Sequence, residues 1–290
     1  MIKISKPLIA IVGQTASGKS DAAQEIAEKY NGEIIAADSR TVYKFMDIGT
    51  AKPSKADMKK IPHHLIDIIE PDQTYSASEF KKRANKLVDD ISTAGKLPIV
   101  VGGTGLYVNS FLYDYDFGKP PVEKFRRDLQ KLSLENLQEK VENLGLDAQQ
   151  INFRNKRHLI RAIENGGIVR TAKPLRQNAL FLGLKPGEET LKTRIYLRNE
   201  RMIKIGLENE VRNLAEVYGW EAPGLNAVGY KEWRGYFKNE YDIDEVKQKM
   251  FKNNWQYARR QKIWFKRDNN IIWTSSVNEL VRQVEQFLLQ

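Results

Sequence analysis

Cysteine is absent from the 290 residues of this chain. Its absence excludes disulfides, thiolate zinc sites and a cysteine nucleophile together, and agrees with a reducing cytoplasm. No run of apolar residues is long enough to span a bilayer, so no membrane partner is expected. The opening "MIKISKPLIAIVG" passes directly into strand-like sequence without the longer apolar core of a cleavable leader. Acidic residues are scarce in two stretches. Residues 252–267, "KNNWQYARRQKIWFKR", hold six Lys/Arg and no acid, and residues 151–176 hold seven against the single acid Glu164.

The two acid-poor stretches account for much of a net charge of +10. A basic surface favours an anionic partner, although scattered lysines are often only solvated. In 252–267 the cations alternate with Trp255, Tyr257, Trp264 and Phe265. Basic residues mixed with aromatics suit a polyanion with stackable bases. The aromatics taken alone fit an amphipathic helix with its rings on the core, while the clustering of charge tilts the basic face toward nucleic acid.

The first hundred residues alternate strand and helix. "PLIAIVG" is a short apolar run ending in a glycine loop, and Ala22, Ala23, Ile26 and Ala27 recur at helical spacing over 18–30. "EIIAAD" reads as a second strand ending at Asp38, Ser76 and Glu79 form a capping box before a helix reaching about Gly95, and "KLPIVVGGTG" is a third strand. This alternation predicts an α/β fold, a P-loop NTPase-like parallel sheet flanked by helices, with ligands beyond the carboxyl ends of the strands. From "GKPP" the pattern turns to short polar helices over 122–166, and a strand-like run returns at Asn178. Helices are expected at 188–218, 242–265 and 276–289. The predicted organisation is a core of 1–117 with 178–290 and a mostly helical insertion at 118–177.

"GQTASGKS" comprises Gly13, Gln14, Thr15, Ala16, Ser17, Gly18, Lys19 and Ser20, with the spacing G-x-x-x-x-G-K-[ST]. Such a loop curls so that successive N–H groups face phosphate oxygens, and the following helix adds its positive end. Lys19 reaches the terminal phosphates and the Ser20 hydroxyl can hold Mg²⁺. The motif alone leaves several chemistries open, including ATP-binding, phosphoryl transfer and nucleotide hydrolysis. Asp38 fits either a magnesium ligand or a base facing an acceptor.

The stretch "DSRTVYKFMDIGTAKP" (38–53), with "PHHLID" (62–67), "GGTGLY" (102–107), "RAIE" (161–164), "LGLKP" (182–186), "RIYLRNERM" (194–202), "VGYKE" (228–232) and "RRQKIWFKR" (259–267), resembles the tRNA dimethylallyltransferases. The likeness is colinear over nearly the whole chain. Four residues depart from the usual family pattern: Gln14, where Pro is usual, Thr41 for Gln, Phe45 for Gly and His158 for Arg.

The resemblance implies transfer of a dimethylallyl group from dimethylallyl diphosphate to N6 of the adenosine beside the anticodon, in tRNAs reading codons that begin with U. It implies Mg²⁺ as cofactor, the tRNA anticodon stem-loop as partner, and a monomer. It assigns the leaving diphosphate to the loop, Lys19 and Arg198, proton acceptance at N6 to Asp38, and a place near the bridging oxygen to Thr104. It assigns tRNA contacts to Asp38, Ser39, Arg40, Thr41, Thr104, Arg126, Arg157, His158 and Arg161, and the basic C-terminal stretch adds Arg259 and Arg260. Three other readings stay open at this level: a prenyltransferase acting on free AMP, ADP or ATP, a P-loop small-molecule kinase, and a non-catalytic RNA-binding module. His63 and His64 are adjacent, so on a strand they point opposite ways and read as structural.

Overall fold

A computed structural model of the chain describes residues 7–118, 122–146, 151–167 and 172–289. Residues 1–6, the Pro120–Pro121 break and Arg170 of the basic stretch lie outside the described residues.

Six strands make one sheet in the order β3-β2-β4-β1-β5-β6. They are β1 Leu8–Gly13, β2 Gly32–Ala36, β3 His63–His64, β4 Leu97–Gly102, β5 Ala179–Leu184 and β6 Ile272–Thr274. Every pairing is parallel. Both β1 and β4 are buried at all six positions, which is why their sequences are continuous apolar runs: a parallel sheet is covered on both faces. Ile9, Ile11, Ile34, Ile99 and Leu182 pack with α1 (Lys19–Lys29) and α11 (Val277–Leu288) into one core. Helices α3 (Ala77–Thr93), α4 (Gly105–Leu112) and α10 (Ile243–Phe265) also pack on the sheet.

The Ser76–Glu79 box forms as expected: Ser76 Oγ accepts the Glu79 N–H at 3.1 Å and Glu79 accepts the Ser76 N–H at 2.8 Å. A second box, Ser54 with Asp57, starts α2 (Lys55–Lys60), which the sequence pattern did not show. The helix expected over 188–218 is two helices, α8 (Glu188–Lys204) and α9 (Leu207–Tyr218). Gly206 separates them at φ 107°, a left-handed conformation that an uninterrupted helix does not contain. Strand β2 stops at Ala36, so Asp38 sits in the loop beyond the strand. Strand β6 was also unforeseen, since three residues offer too little periodicity.

The chain divides into two units, Met1–Leu112 with Leu175–Gln290, and Tyr113–Pro174. The second holds three short amphipathic helices, α5 (Glu123–Lys131), α6 (Leu134–Asn143) and α7 (Lys156–Glu164). They have their own core of Leu129, Leu137, Val141, Leu159, Ile160 and Ile163.

Candidate active site

The glycine loop leaves the buried end of β1 and turns into α1. Within it the Ser17 N–H donates to the Gln14 carbonyl at 3.2 Å, and Lys19 Nζ donates to the same oxygen at 3.1 Å. Three side chains and one carbonyl from distant helices brace the turn. Gln14 Nε2 donates to the Ala258 carbonyl at 3.0 Å, and the Thr15 N–H donates to Gln261 Oε1 at 2.7 Å. From α8, Arg194 donates to the Ser17 carbonyl at 3.0 Å and Arg198 to the Thr15 hydroxyl at 2.6 Å. Asn254 accepts the other Arg198 nitrogen at 3.0 Å.

The loops after β2 and β4 are tied to each other and to this turn. Asp38 Oδ1 accepts the Arg40 N–H at 2.8 Å, closing a local turn that fixes the carboxylate. Thr104 Oγ1 accepts the Ser39 N–H at 3.0 Å, and Gln261 Nε2 donates to the Gly103 carbonyl at 3.0 Å. One buried amide, Gln261, therefore bridges the phosphate loop and the β4 loop.

These elements wall a cavity of about 520 Å³ lined by Thr15 through Asp21, Asp38, Thr41, Arg194 and Arg198. The rest of its wall is largely apolar: Ile34, Ala36, Ala51, Pro53, Ile66, Val101 and Val277. Lys19 keeps some solvent contact. Loss of hydration nevertheless brings its ammonium down to about 8, with the Asp38 charge opposing the shift and Arg198 adding to it. Burial likewise lowers Arg198 against the pull of Asp38. Arg198 Nε and the hydroxyls of Ser17 and Thr41 are buried without a hydrogen-bond partner. A cavity lined by unsatisfied donors is prepared for an anion with several oxygens. Burial pushes the Tyr257 phenol up to about 12, with Asp38 adding and a hydrogen bond with Thr104 opposing.

Ser20 is exposed in the same cavity, with the carboxylates of Asp21 and Asp38 also on its wall. Such an all-oxygen donor set fits a hard cation like Mg²⁺, which takes one or two protein ligands beside phosphate and water. Among the described residues no group of three His or acidic side chains could hold a metal by itself.

Of the residues singled out from the sequence, Thr15 to Ser20, Asp38, Thr41 and Arg198 share the cavity wall. Gln14 turns instead toward α10, and Thr104 braces the Asp38 loop from beside the cavity. Arg40 donates to the Pro223 carbonyl at 3.4 Å. In the second unit, Arg157 and His158 are exposed, while Arg126 and Arg161 both bind the Glu164 carboxylate, at 2.5 and 3.2 Å. Burial alone would raise Glu164, but the hydrogen bonds from Arg126 and Arg161 outweigh it and hold the carboxyl below its ordinary range. Arg259 and Arg260 are exposed on α10. His64 pairs with Glu33 at 2.6 Å and His63 with the Ile61 carbonyl at 2.7 Å.

Four contributors escaped the sequence reading: Arg194, Asn254, Tyr257 and Gln261. A signal existed for three of them. Arg194 stands one turn before Arg198 on α8, and Asn254 and Gln261 fall in the buried stripe Met250–Asn254–Ala258–Gln261–Phe265 of α10. Polar residues at core positions of an amphipathic helix need partners, and here the partners are the site.

The IPP transferase family matches residues 41–268 of the chain. A tRNA dimethylallyltransferase of Staphylococcus epidermidis is 40% identical over 94% of this chain and 88% of its own length. The crystal structure of a tRNA delta(2)-isopentenylpyrophosphate transferase from Staphylococcus epidermidis superposes with a TM-score of 0.73 and 36% identity, covering 98% of this chain and 99% of that one. A eukaryotic dimethylallyltransferase, caught in crystals acting on tRNA, gives a TM-score of 0.80 at 25% identity, covering 98% of this chain and 78% of its own. On the extent of the family match and the identity with its relatives, the chain belongs to the IPP transferase family.

Proposed function

We propose that the chain transfers a dimethylallyl group from dimethylallyl diphosphate to N6 of the adenosine beside the anticodon of tRNA, releasing diphosphate. The relatives it matches act on tRNA by name, and prenyl transfer to tRNA is the chemistry of that family. The observation that carries the donor is the composition of one cavity wall. The cations Lys19 and Arg198 meet an apolar surface of Ile34, Ala36, Ile66 and Val101, which suits an anion with a short hydrocarbon tail.

In this reading adenine N6 attacks the allylic C1, the N6–C1 bond forms and the C1–O bond breaks. The electron pair leaves with the diphosphate. Lys19, Arg198 and the loop N–H groups stabilise the charge that develops on the leaving oxygens. Asp38, fixed by the Arg40 N–H, accepts the proton from N6. Thr104 holds the Asp38 loop through Ser39, and in this reading its hydroxyl serves the bridging oxygen of the diphosphate. Ser20 would hold Mg²⁺, which when bound adds positive charge against the diphosphate. The adenine must leave its stack to reach Asp38. Arg157 and His158 of the second unit and Arg259 and Arg260 of α10 supply RNA contacts, and Arg126 and Arg161 hold the second unit together through Glu164. No helix among the described residues is long and apolar enough to cross a membrane.

Incubation with radiolabelled dimethylallyl diphosphate and either tRNA or AMP tests the reading. Label is expected on tRNA. Label on AMP alone, or on neither acceptor, refutes it.

A further inference from the structure

We infer that the chain carries a second ligand site, a basic aromatic-walled cavity beside the phosphate loop that takes a nucleotide by its base and phosphates. The cavity, about 600 Å³, lies between α10 and the turn from β5 into α8, and its wall includes Gln14, Lys185, Trp255, Arg259, Lys262 and Lys266. None of these belongs to the wall of the candidate active site. A smaller cavity of about 390 Å³ continues it past Lys185, Lys262 and Lys266 to Trp273.

Helical spacing builds one side of it. Positions 255, 259 and 262 of α10 and its C-cap residue 266 are spaced i, i+4, i+7 and i+11, so one stripe presents a tryptophan and three cations. The same helix shows what an ordinary solvated face looks like. In its first half Lys247 pairs with Asp244 at 3.6 Å and Lys249 with Glu245 at 2.8 Å. Its second half has no acid to offer, and Lys185, Arg259, Lys262 and Lys266 form no ion pair among the described residues. Two acids share the walls: Glu188 of the larger cavity pairs with Lys192 at 3.3 Å, and Asp268 of the smaller one accepts the Asn270 N–H at 3.1 Å. Four uncompensated cations around one concavity repel each other, and a multiply charged anion relieves that repulsion.

Trp255 decides the class of anion. Its ring is partly buried against Leu191, Ile195 and Ala258, which fixes it, and the Lys192 ammonium stands 5.4 Å from its centroid. A fixed aromatic surface beside several cations recognises a flat base carrying phosphate, more than a bare phosphate or a carboxylate. That chemistry is shared by a free nucleotide and by one nucleotide of an RNA strand. Occupancy has a path to the active site, because Gln14 and Thr15 are neighbours in the phosphate loop and line different cavities. The Gln14 amide is held by α10 at Ala258, one turn from Trp255.

The test is calorimetric titration of Lys19→Ala protein, in which nucleotide binding at the phosphate loop is removed, with ATP and separately with a short single-stranded RNA. Binding by ATP that Lys262→Glu/Lys266→Glu weakens about tenfold or more, and that Trp255→Phe retains while Trp255→Leu loses, supports the site with a free nucleotide as ligand. The same pattern for RNA without ATP binding assigns the cavity to the tRNA contacts already proposed for α10 and overturns the inference of a free-nucleotide site. The two lysines are exposed, so their reversal leaves the fold intact even if Trp255→Leu does not fold. Binding of neither probe, or binding that the lysine reversal leaves unchanged, overturns the inference. The outcome is independent of prenyl transfer, so failure here is distinct from failure of the proposed activity.

Discussion

Arg198 donates to the Thr15 hydroxyl at 2.6 Å across 183 residues of chain. The guanidinium is anchored on its other side by Asn254, so a helix far along the sequence fixes both the loop and a cation on the cavity wall. A lysine at this position offers a point charge without the fork that reaches both partners.

Arg198→Lys is therefore expected to lower kcat by about 100-fold with a smaller change in KM for the donor, because an interaction aimed at developing charge is lost. Steady-state transfer to tRNA measures it. A change confined to KM contradicts the assignment.

Lys19 is expected to carry the pH dependence of donor binding. Its pKa is lowered to about 8 by lost hydration, so the unliganded protein loses this cation as pH rises through that value. Diphosphate stabilises the ammonium, and its binding near this pH takes up a proton. Calorimetry in buffers of different ionisation enthalpy is expected to show net uptake, with affinity declining above pH 8, and Lys19→Arg is expected to abolish both. For folding the sign is the reverse of that for a paired lysine. Between about 8 and the ordinary value of 10.5 the unfolded chain binds more protons, so the penalty from Lys19 fades as pH rises through this window.

Glu210 holds one wall of the cavity from behind. Its carboxylate accepts the N–H groups of Asp47, Ile48 and Gly49 at 2.9, 2.8 and 3.0 Å and the Tyr230 hydroxyl at 2.6 Å. The loop it holds continues into Thr50, Ala51 and Pro53 of the cavity wall. Glu210→Ala strands several donors and is expected to cost about 3 kcal/mol in urea denaturation. Gly49→Ala is expected to be as severe, since a Cβ there would stand 2.5 Å from the Tyr230 ring. Faster amide exchange at 47–49 in Glu210→Ala would locate the effect.

Phe45 occupies a φ of 62° with 57% of its surface exposed. A non-glycine residue in that region costs about 1–2 kcal/mol, while glycine there carries an unfolded-state entropy penalty of about 0.5–1 kcal/mol. Phe45→Gly is expected to raise the denaturation midpoint by the small difference, about 1 kcal/mol or less.

Charge on the second unit separates into two roles. Arg157→Ala is expected to weaken tRNA binding and flatten its salt dependence without changing the melting temperature. Arg126→Ala leaves the Glu164 carboxylate, 3% exposed, with one partner fewer and is expected to destabilise the fold. Filter binding at several salt concentrations with parallel melts distinguishes them.

Much of this site was legible in one dimension because its chemistry is local. The loop Gly13–Ser20 needs only its glycines, a lysine and a serine after a buried strand, and the "DSRT" and "GGTG" segments carry their own turns. Arg126 and Arg161 show the opposite case. Read from sequence they are two cations of a basic lobe, yet both turn onto Glu164. Nothing in their spacing shows that one acid collects them.

By itself the sequence determined the parallel α/β core, the phosphate loop, the acid at 38 and the acid-poor character of the second half of α10. These follow from periodicity, composition and short motifs, which act over one turn or one strand. Tertiary structure alone decided that Gln261 joins the Thr15 amide to the Gly103 carbonyl, that Asn254 seats Arg198, and that Gln14 and Thr15 face different cavities. The reason is physical: a buried polar side chain must find a partner, but which partner it meets depends on how helices distant in sequence pack against the sheet.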